Sequence, residues 1–111
     1  MKIFLISPVR GADQTENQKH YDRLALEHEV YYPFLHTNQV DDTGLRICRD
    51  NLAAIQNADA VAVIWDGKSQ GCLFDLGMAF ALGKPVIAIE LPTPTDGKSF
   101  QNMVRAWWSG K

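Results

Sequence analysis

Residues 58–85, ADAVAVIWDGKSQGCLFDLGMAFALGKP, carry the pattern of a buried strand followed by a loop and a helix. Residues 60–65 are a continuous apolar run, too short for an independent helix and bounded by turn residues, which is typical of a strand buried on both faces of a parallel sheet. From Cys72 the apolar residues recur at helical spacing, and Gly83 and Pro85 end the helix. The inward face predicted for this helix comprises Leu73, Leu76, Ala79, Phe80 and Leu82.

The rest of the chain repeats this alternation. Further strands are predicted at residues 3–6, 30–32 and 86–89, with loops at 34–40 and 91–97. Four β/α units in strict alternation predict an α/β fold, a flavodoxin-like or Rossmann-like three-layer sandwich around a parallel sheet of four to five strands. The order 2-1-3-4 follows, because it places strands one and three side by side at the switch point.

Capping residues and apolar spacing define the other helices. The first helix is predicted from the capping boxes that start at Asp13 and Thr15 to about His28, and Asp41 and Asp42 are expected to cap the second. A last helix is expected over residues 99–108. The inward residues predicted for the first two helices are Tyr21, Leu24 and Ala25, and Leu45, Cys48, Leu52 and Ile55.

Composition limits the classes of function. The 111 residues are 46% hydrophobic with a net charge of −2, which suits one globular domain over residues 1–111. No Lys/Arg stripe supports nucleic-acid binding, and no apolar run approaches the roughly 18 residues of a membrane span. The short first strand is no signal peptide, so we expect a cytoplasmic protein that binds neither nucleic acid nor membrane.

Neither a metal nor a cofactor is expected. Cys48 and Cys72 form no C-x-x-C pair and are interpreted as buried reduced thiols. His20, His28 and His36 lack ligand spacing and are expected at the surface. P-loop and G-x-G-x-x-G patterns are both missing, so nothing supports ATP or NAD.

Two loops should face each other across one crevice, those at residues 7–11 and 66–71. Arg10 on the first loop, with Ser69 and Gly71 before a helix, could bind an anion such as phosphate. The alternative is that Arg10 is a solvated loop charge and that the other two residues only make the turn. Asp75 is expected in the first helical turn, ionised by the helix dipole as a nucleophile must be, although a simple helix-start charge is equally consistent with the pattern.

The motif that follows Ser69-Gln70-Gly71 resembles a family signature. Residues 74–86, FDLGMAFALGKPV, are similar to the signature of the nucleoside 2-deoxyribosyltransferase family, an acidic residue followed by Leu-Gly-x-Ala-x-Ala-x-Gly-Lys-Pro. The Arg10-Gly11 loop, Tyr21-x-Arg23 and residues 97–105 further resemble its branch of 2-deoxynucleoside 5-monophosphate N-glycosidases.

The resemblance implies a flavodoxin-like homodimer that cleaves the N-glycosidic bond of a deoxynucleoside or deoxynucleotide. It assigns the nucleophile to Asp75, where the family usually has Glu, with Asn51 as a second catalytic residue where the family usually has Asp. Phe4 stands where the family has an aromatic hydroxyl. The substrate-binding residues expected are Phe4, Ser7, Arg10, Gly11, Asp66, Ser69 and Gly71, with Gln101 and Asn102 reaching the neighbouring subunit's site.

Two other hypotheses stay open, a non-catalytic nucleotide-binding module of the same fold and a purely structural domain. Release of free base distinguishes the first hypothesis from the second, and bound nucleotide excludes the third. The last helix also predicts a homodimer, because Phe100, Met103, Val104, Trp107 and Trp108 are more apolar surface than a terminal helix readily hides. The alternative is that one tryptophan packs within its own chain.

Overall fold

The structure is a computed structural model that describes residues 1–110. All strand pairs are parallel, and the strands, numbered along the chain, have the order 2-1-3-4 in the sheet, which confirms the predicted topology. This arrangement brings the carboxyl ends of the first and third strands together at the switch point, where ligands bind in open α/β sheets. The elements in chain order are β1 (Lys2–Ile6), α1 (Thr15–Ala25), β2 (Glu29–Tyr31), α2 (Pro33–His36), α3 (Leu45–Asn57), β3 (Ala60–Ile64), α4 (Gln70–Ala81), β4 (Val86–Glu90) and α5 (Phe100–Ser109).

The core lies on both faces of the sheet. Because successive strand residues point to opposite faces, Phe4 and Ile6 pack on one side of β1 while Ile3 and Leu5 pack on the other. The first side is covered by α3, α4 and α5 and the second by α1, which gives the predicted three layers. The helical side chains in these two clusters include Ile55, Leu76, Ala79 and Val104 on the first face, and Tyr21 and Leu24 on the second.

Several predicted boundaries and faces were wrong. α1 ends at Ala25, which is itself exposed, and Tyr32 leaves the strand to precede α2, where a loop was expected. Pro33 explains the extra turn, because its fixed φ suits the first position of a helix. On α4, Phe80 is 61% exposed and Leu82 is also exposed, since the sheet covers a narrower stripe than the apolar spacing offers.

The helix starts also differ in detail from the predicted caps. Asp13 accepts hydrogen bonds from the Thr15 amide and hydroxyl in the turn before α1, but Gln14 occupies the cap position and no capping box forms. Before α3 the cap residue is Gly44, whose φ of +86° favours glycine. Asp41 still stabilises this helix start, because its carboxylate accepts the Ile47 amide at 3.1 Å.

Both cysteines are free thiols. Cys72 is buried as predicted, whereas Cys48 is only half-buried. Within residues 1–110, no helix has the length and apolar character to cross a membrane.

Candidate active site

A cavity of about 980 Å³ opens at the carboxyl ends of β1 and β3, and it is lined by the two loops that the sequence placed across one crevice. The first halves of α3 and α4 supply further residues of the wall, and Pro33, Gln39 and residues 41–44 complete it. Eight of the predicted site residues lie on its wall: Ser7, Arg10, Gly11, Asn51, Asp66, Ser69, Gly71 and Asp75.

Asp75 forms a buried part of this wall and is only 8% exposed. Since α4 begins at Gln70 rather than Cys72, Asp75 lies in the second helical turn and not in the first. Burial raises its pKa to about 7, and the neighbouring Asn51 side chain partly offsets this rise by favouring the carboxylate. The prediction of a fully ionised carboxylate at the helix start is therefore wrong, because near neutral pH the Asp75 side chain is divided between acid and carboxylate.

Asn51 is held from its other side by a buried threonine. Its Oδ1 accepts a hydrogen bond from Thr37 Oγ1 at 2.9 Å, and Tyr31 Oη lies 2.6 Å from the same threonine oxygen. A line of polar groups thus runs from β2 through the segment after α2 to α3 and ends at the carboxyl group on α4. Sequence reasoning missed Thr37 and Tyr31, because they are distant from Asn51 in the chain and follow no motif.

Ser7 contributes a hydroxyl that has no hydrogen-bond partner within residues 1–110. Its Oγ is buried, and among the described residues nothing hydrogen-bonds to it. Ser7 follows the last residue of β1 and lines the same cavity as Asp75. Because a buried hydroxyl left unpaired costs free energy, this atom is suited to a polar group of a bound ligand.

The loop before α4 is held by its own backbone. The Asp66 carboxylate accepts the amides of Lys68 and Ser69, both at 2.8 Å, and Trp65 Nε1 donates to the Ser69 carbonyl at 3.2 Å. Burial acts to raise the Asp66 pKa, but the amide hydrogen bonds outweigh it and hold that pKa below its usual value. Gly67 adopts a φ of +80°, and a Cβ there would lie 2.9 Å from the Pro92 side chain, so only glycine fits the turn.

The start of α4 offers hydrogen-bond donors to the cavity. Ser69 caps the helix, because its Oγ accepts the Cys72 amide at 3.3 Å. The first-turn amides, including that of Gly71, have no acceptor within the helix. Arg10 lies on the opposite loop, and Lys68 adds a second cation to the wall. Lys68 lies within the predicted loop, but sequence reasoning did not single it out, because on that loop the predicted anion site was based on Ser69 and Gly71.

A family model described as nucleoside 2-deoxyribosyltransferase matches residues 3–103. The chain belongs to the nucleoside 2-deoxyribosyltransferase family. Membership supports transfer or cleavage at the N-glycosidic bond of a nucleoside, as the resemblance in the sequence implied. The comparison with curated proteins gave no significant match.

Two solved structures share the fold of this family member. The 2-deoxyribosyltransferase from Bacillus psychrosaccharolyticus superimposes with a TM-score of 0.67 at 25% identity, over 88% of this chain and 77% of that one. The CMP N-glycosidase BcmB of Clostridium botulinum gives a TM-score of 0.62 at 18% identity, over 98% of this chain and 81% of that one. Because the identity to the CMP N-glycosidase is so low, this similarity is evidence for a shared fold only. The flavodoxin-like α/β class predicted from the sequence is confirmed.

Phe4 does not reach the cavity in this family member. Its side chain is fully buried beneath the helices and stacks on Tyr31 with the ring centroids 5.5 Å apart. Strand alternation explains this position, since Phe4 points to the same face as Ile6 and into the core.

Gln101 and Asn102 also lie away from the cavity of their own chain. Gln101 Nε2 donates to the Thr93 carbonyl at 3.3 Å. Asn102 Nδ2 donates to the carbonyls of Thr95 and Gly97, at 2.7 and 2.6 Å, and so fixes the loop before α5. Within one chain these two amides therefore support the loop and contact no site residue.

Further residues of the cavity wall carried no signal in the sequence. Phe74 exposes an aromatic ring beside Asp75, and Asp41 and Asp42 bring negative charge from the segment before α3. Burial raises the pKa of the Cys48 thiol, and the nearby Asp75 charge raises it further. Within residues 1–110, no group of three or more His, Cys, Asp or Glu side chains is placed to hold a metal ion.

Proposed function

We propose that the protein cleaves or transfers the N-glycosidic bond of a deoxynucleoside or its 5-monophosphate, with Asp75 as the carboxylate nucleophile. The observation that carries the proposal is a single carboxyl group, buried in the cavity wall, whose pKa is raised to about 7. Such perturbed groups in a cleft mark functional sites. Family membership supplies the bond on which the group acts.

The chemistry needs a charge close to the anomeric carbon of the sugar. As the glycosidic bond breaks, its electron pair leaves with the base nitrogen, which takes up a proton from water, and positive charge builds on the sugar. The Asp75 carboxylate stabilises that charge and forms an ester bond to the anomeric carbon. Water then attacks this carbon, which releases the sugar and a proton and restores the carboxylate. A second base in place of water gives transfer.

The remaining wall holds the substrate. Arg10 and the donors of Ser69 and Gly71 would bind a 5-phosphate, since both a cation and first-turn helix amides favour anions. Gly11 lets the Arg10 loop turn with a φ of +69°, and Asp66 fixes the loop that carries Ser69. The unpartnered Ser7 hydroxyl would bind a sugar or phosphate oxygen. Asn51 would orient Asp75 but cannot supply a proton near neutral pH.

The test is a screen of deoxynucleosides and their monophosphates for release of free base, followed by chromatography. We expect base from at least one substrate and none when Asp75→Asn is assayed. Binding of a nucleotide without release of base from any substrate would favour the second candidate, a non-catalytic nucleotide-binding module. One observation favours that candidate: this chain has Asp at position 75, where the family usually has Glu, and Asn at position 51, where the family usually has Asp.

We further propose that the protein is a homodimer through α5. Phe100, Met103 and Trp108 are exposed on this helix. Phe80 on α4 is exposed too, and Trp107 packs against it with the ring centroids 5.3 Å apart. Together these side chains form an apolar patch of the kind that marks protein contacts. Gln101 at the start of α5 could then approach the partner's cavity.

Sedimentation at micromolar concentration tests the dimer. We expect a dimer for the wild-type protein and a dissociation constant raised by about tenfold or more for Trp108→Ala, since buried tryptophans often dominate interfaces. Leu26→Ala is the matched control, because Leu26 is a strongly exposed apolar residue after α1. A wild-type monomer, or equal effects of the two substitutions, would contradict the proposal.

A further inference from the structure

Thr37 lies at the centre of the polar line that ends at Asp75. It is 4% exposed, and its partner Asn51 is 6% exposed, so both side chains are cut off from solvent. The hydroxyl of Thr37 donates to Asn51 Oδ1 at 2.9 Å. A threonine hydroxyl has one proton, so Tyr31 Oη must be the donor in the 2.6 Å contact with Thr37.

This donor order fixes which end of the Asn51 amide faces the site. Because the carbonyl oxygen is turned to Thr37, the amide nitrogen is the end left for Asp75, which lies on the same cavity wall and whose pKa the Asn51 side chain lowers. An amide N–H group stabilises a carboxylate, whereas an amide oxygen in the same place would stabilise the protonated acid. The orientation of one buried amide therefore selects between two forms of the carboxyl group.

We propose that Thr37 is a positioning residue, which holds the Asn51 amide with its N–H groups toward Asp75 and so favours the carboxylate form. Its chemical meaning rests on the proposed role of Asp75 as nucleophile. Thr37 itself does not line the cavity and touches no reacting atom, so it acts only through Asn51.

Other titratable and charged groups lie around Asp75 and Thr37. The titratable neighbours coupled to Asp75 are Cys48 from α3 and Cys72 on α4, and burial raises the pKa of the Cys72 thiol to about 12. The His36 ring lies against Tyr31, with the centroids 5.5 Å apart, and not against Asp75. The charged residues on the cavity wall are Arg10, Asp41, Asp42, Asp66 and Lys68.

The test is a titration of the Asp75 carboxyl carbon by NMR in protein labelled with ¹³C-aspartate. Thr37→Val removes the donor at nearly constant volume, and we expect the Asp75 pKa to rise by roughly 0.5–1. Thr37→Ser keeps the hydroxyl and should leave the titration unchanged. In base release, Thr37→Val should lower kcat below neutral pH with KM nearly unchanged, and raising the pH should recover the rate.

A titration that is the same in Thr37→Val and Thr37→Ser would overturn the proposal. If the valine variant does not fold, Thr37→Cys offers a weaker donor in its place, and a titration identical to that of the wild type then overturns the proposal in the same way. The NMR readout needs no turnover, so the two hypotheses fail separately. A shifted titration without base release supports the role of Thr37 and contradicts the proposed function, whereas base release with an unshifted titration contradicts the role of Thr37 alone.

Discussion

Asp66 and Asp75 lie on the wall of the same cavity, yet their environments drive them in opposite directions. Asp66 is exposed in the loop before α4, where two backbone amides hold its pKa below the usual value. Asp75 is buried in the second turn of that helix, where burial raises its pKa to about 7. The carboxylate near the surface thus organises a loop, and the buried one is divided between acid and carboxylate near neutral pH.

The difference shows how stability and function divide between neighbouring residues. A carboxylate that accepts amide hydrogen bonds stabilises the folded chain. A buried carboxylate with a single neutral amide partner lowers the stability of the fold. Such destabilising groups are common at functional sites.

The largest expected effect separates the two residues by activity. Asp75→Asn should lower base release by on the order of a thousandfold or more, since it removes the proposed nucleophile. Asp66→Asn should cost about tenfold at most, because the amide oxygen of asparagine can still accept the bonds from Lys68 and Ser69. Steady-state kinetics on the best substrate checks both variants. Equal losses would mean that the loop and the buried acid are equally needed.

Stability against pH should separate them with opposite signs. The folded-state pKa of Asp75 lies above its ordinary value of 3.8, so the stability linked to it is fully present below about pH 4 and is lost as the pH rises to about 7. Asp75→Asn escapes this loss and should be more stable than the wild type near pH 8, by on the order of 3 kcal/mol.

Urea unfolding between about pH 2 and pH 8 measures both dependences, because the Asp75 effect lies above about pH 4 and the Asp66 effect lies below it. Asp66→Asn is the control with the opposite sign, because the lowered pKa of Asp66 stabilises the fold above its unfolded pKa and that stability is lost as the pH falls. Parallel pH curves for the wild type and Asp75→Asn would show that Asp75 titrates normally.

The pH dependence of the rate sharpens the comparison further. If the Asp75 carboxylate is the nucleophile, kcat should fall as the pH drops below about 7, by about tenfold for each pH unit. Asp66→Asn should keep the same midpoint. A rate that stays constant down to pH 5 would assign the chemistry to an acid with an ordinary pKa.

The smallest expected effect is on ligand affinity, and it concerns the cations on the same cavity wall as Asp75. If Arg10 binds a 5-phosphate, a deoxynucleotide should bind more tightly than its nucleoside by about 1.5–3 kcal/mol, and Arg10→Ala should remove most of this difference. Nucleoside binding should change little. Arg49→Ala is the matched control, since Arg49 is an exposed cation on α3 that does not line the cavity. Equal affinities of the wild type for both ligands in calorimetry would contradict the phosphate site.

The sequence predicted the sheet because its strands are short apolar runs with turn residues on both sides. The local pattern of apolar residues was enough to predict β3 and α4. The position of the switch point then followed from the predicted strand order. Phe80 shows the limit of such reasoning, since a wide apolar stripe does not reveal how much of it the sheet will cover.

The state of Asp75 could not be predicted from the residues around it. Its burial depends on the packing of α4 against α3, and the side chain that lowers its pKa, Asn51, is far away in the chain. Thr37 is joined to Asn51 only through the fold. Ser7 was expected in the site from its loop, but its lack of a partner is visible only in three dimensions.

Trapping the sugar on the protein tests the central claim most directly. A deoxynucleotide that carries fluorine on carbon 2 of the sugar destabilises the oxocarbenium-like transition state, so release of the sugar ester should become slow. After acid quenching, peptide mapping by mass spectrometry should find the sugar phosphate on the peptide that contains Asp75, and on no peptide of Asp75→Asn. Release of base by the wild type with the sugar on another residue, or with no adduct at all, would contradict the assignment of Asp75 as the nucleophile.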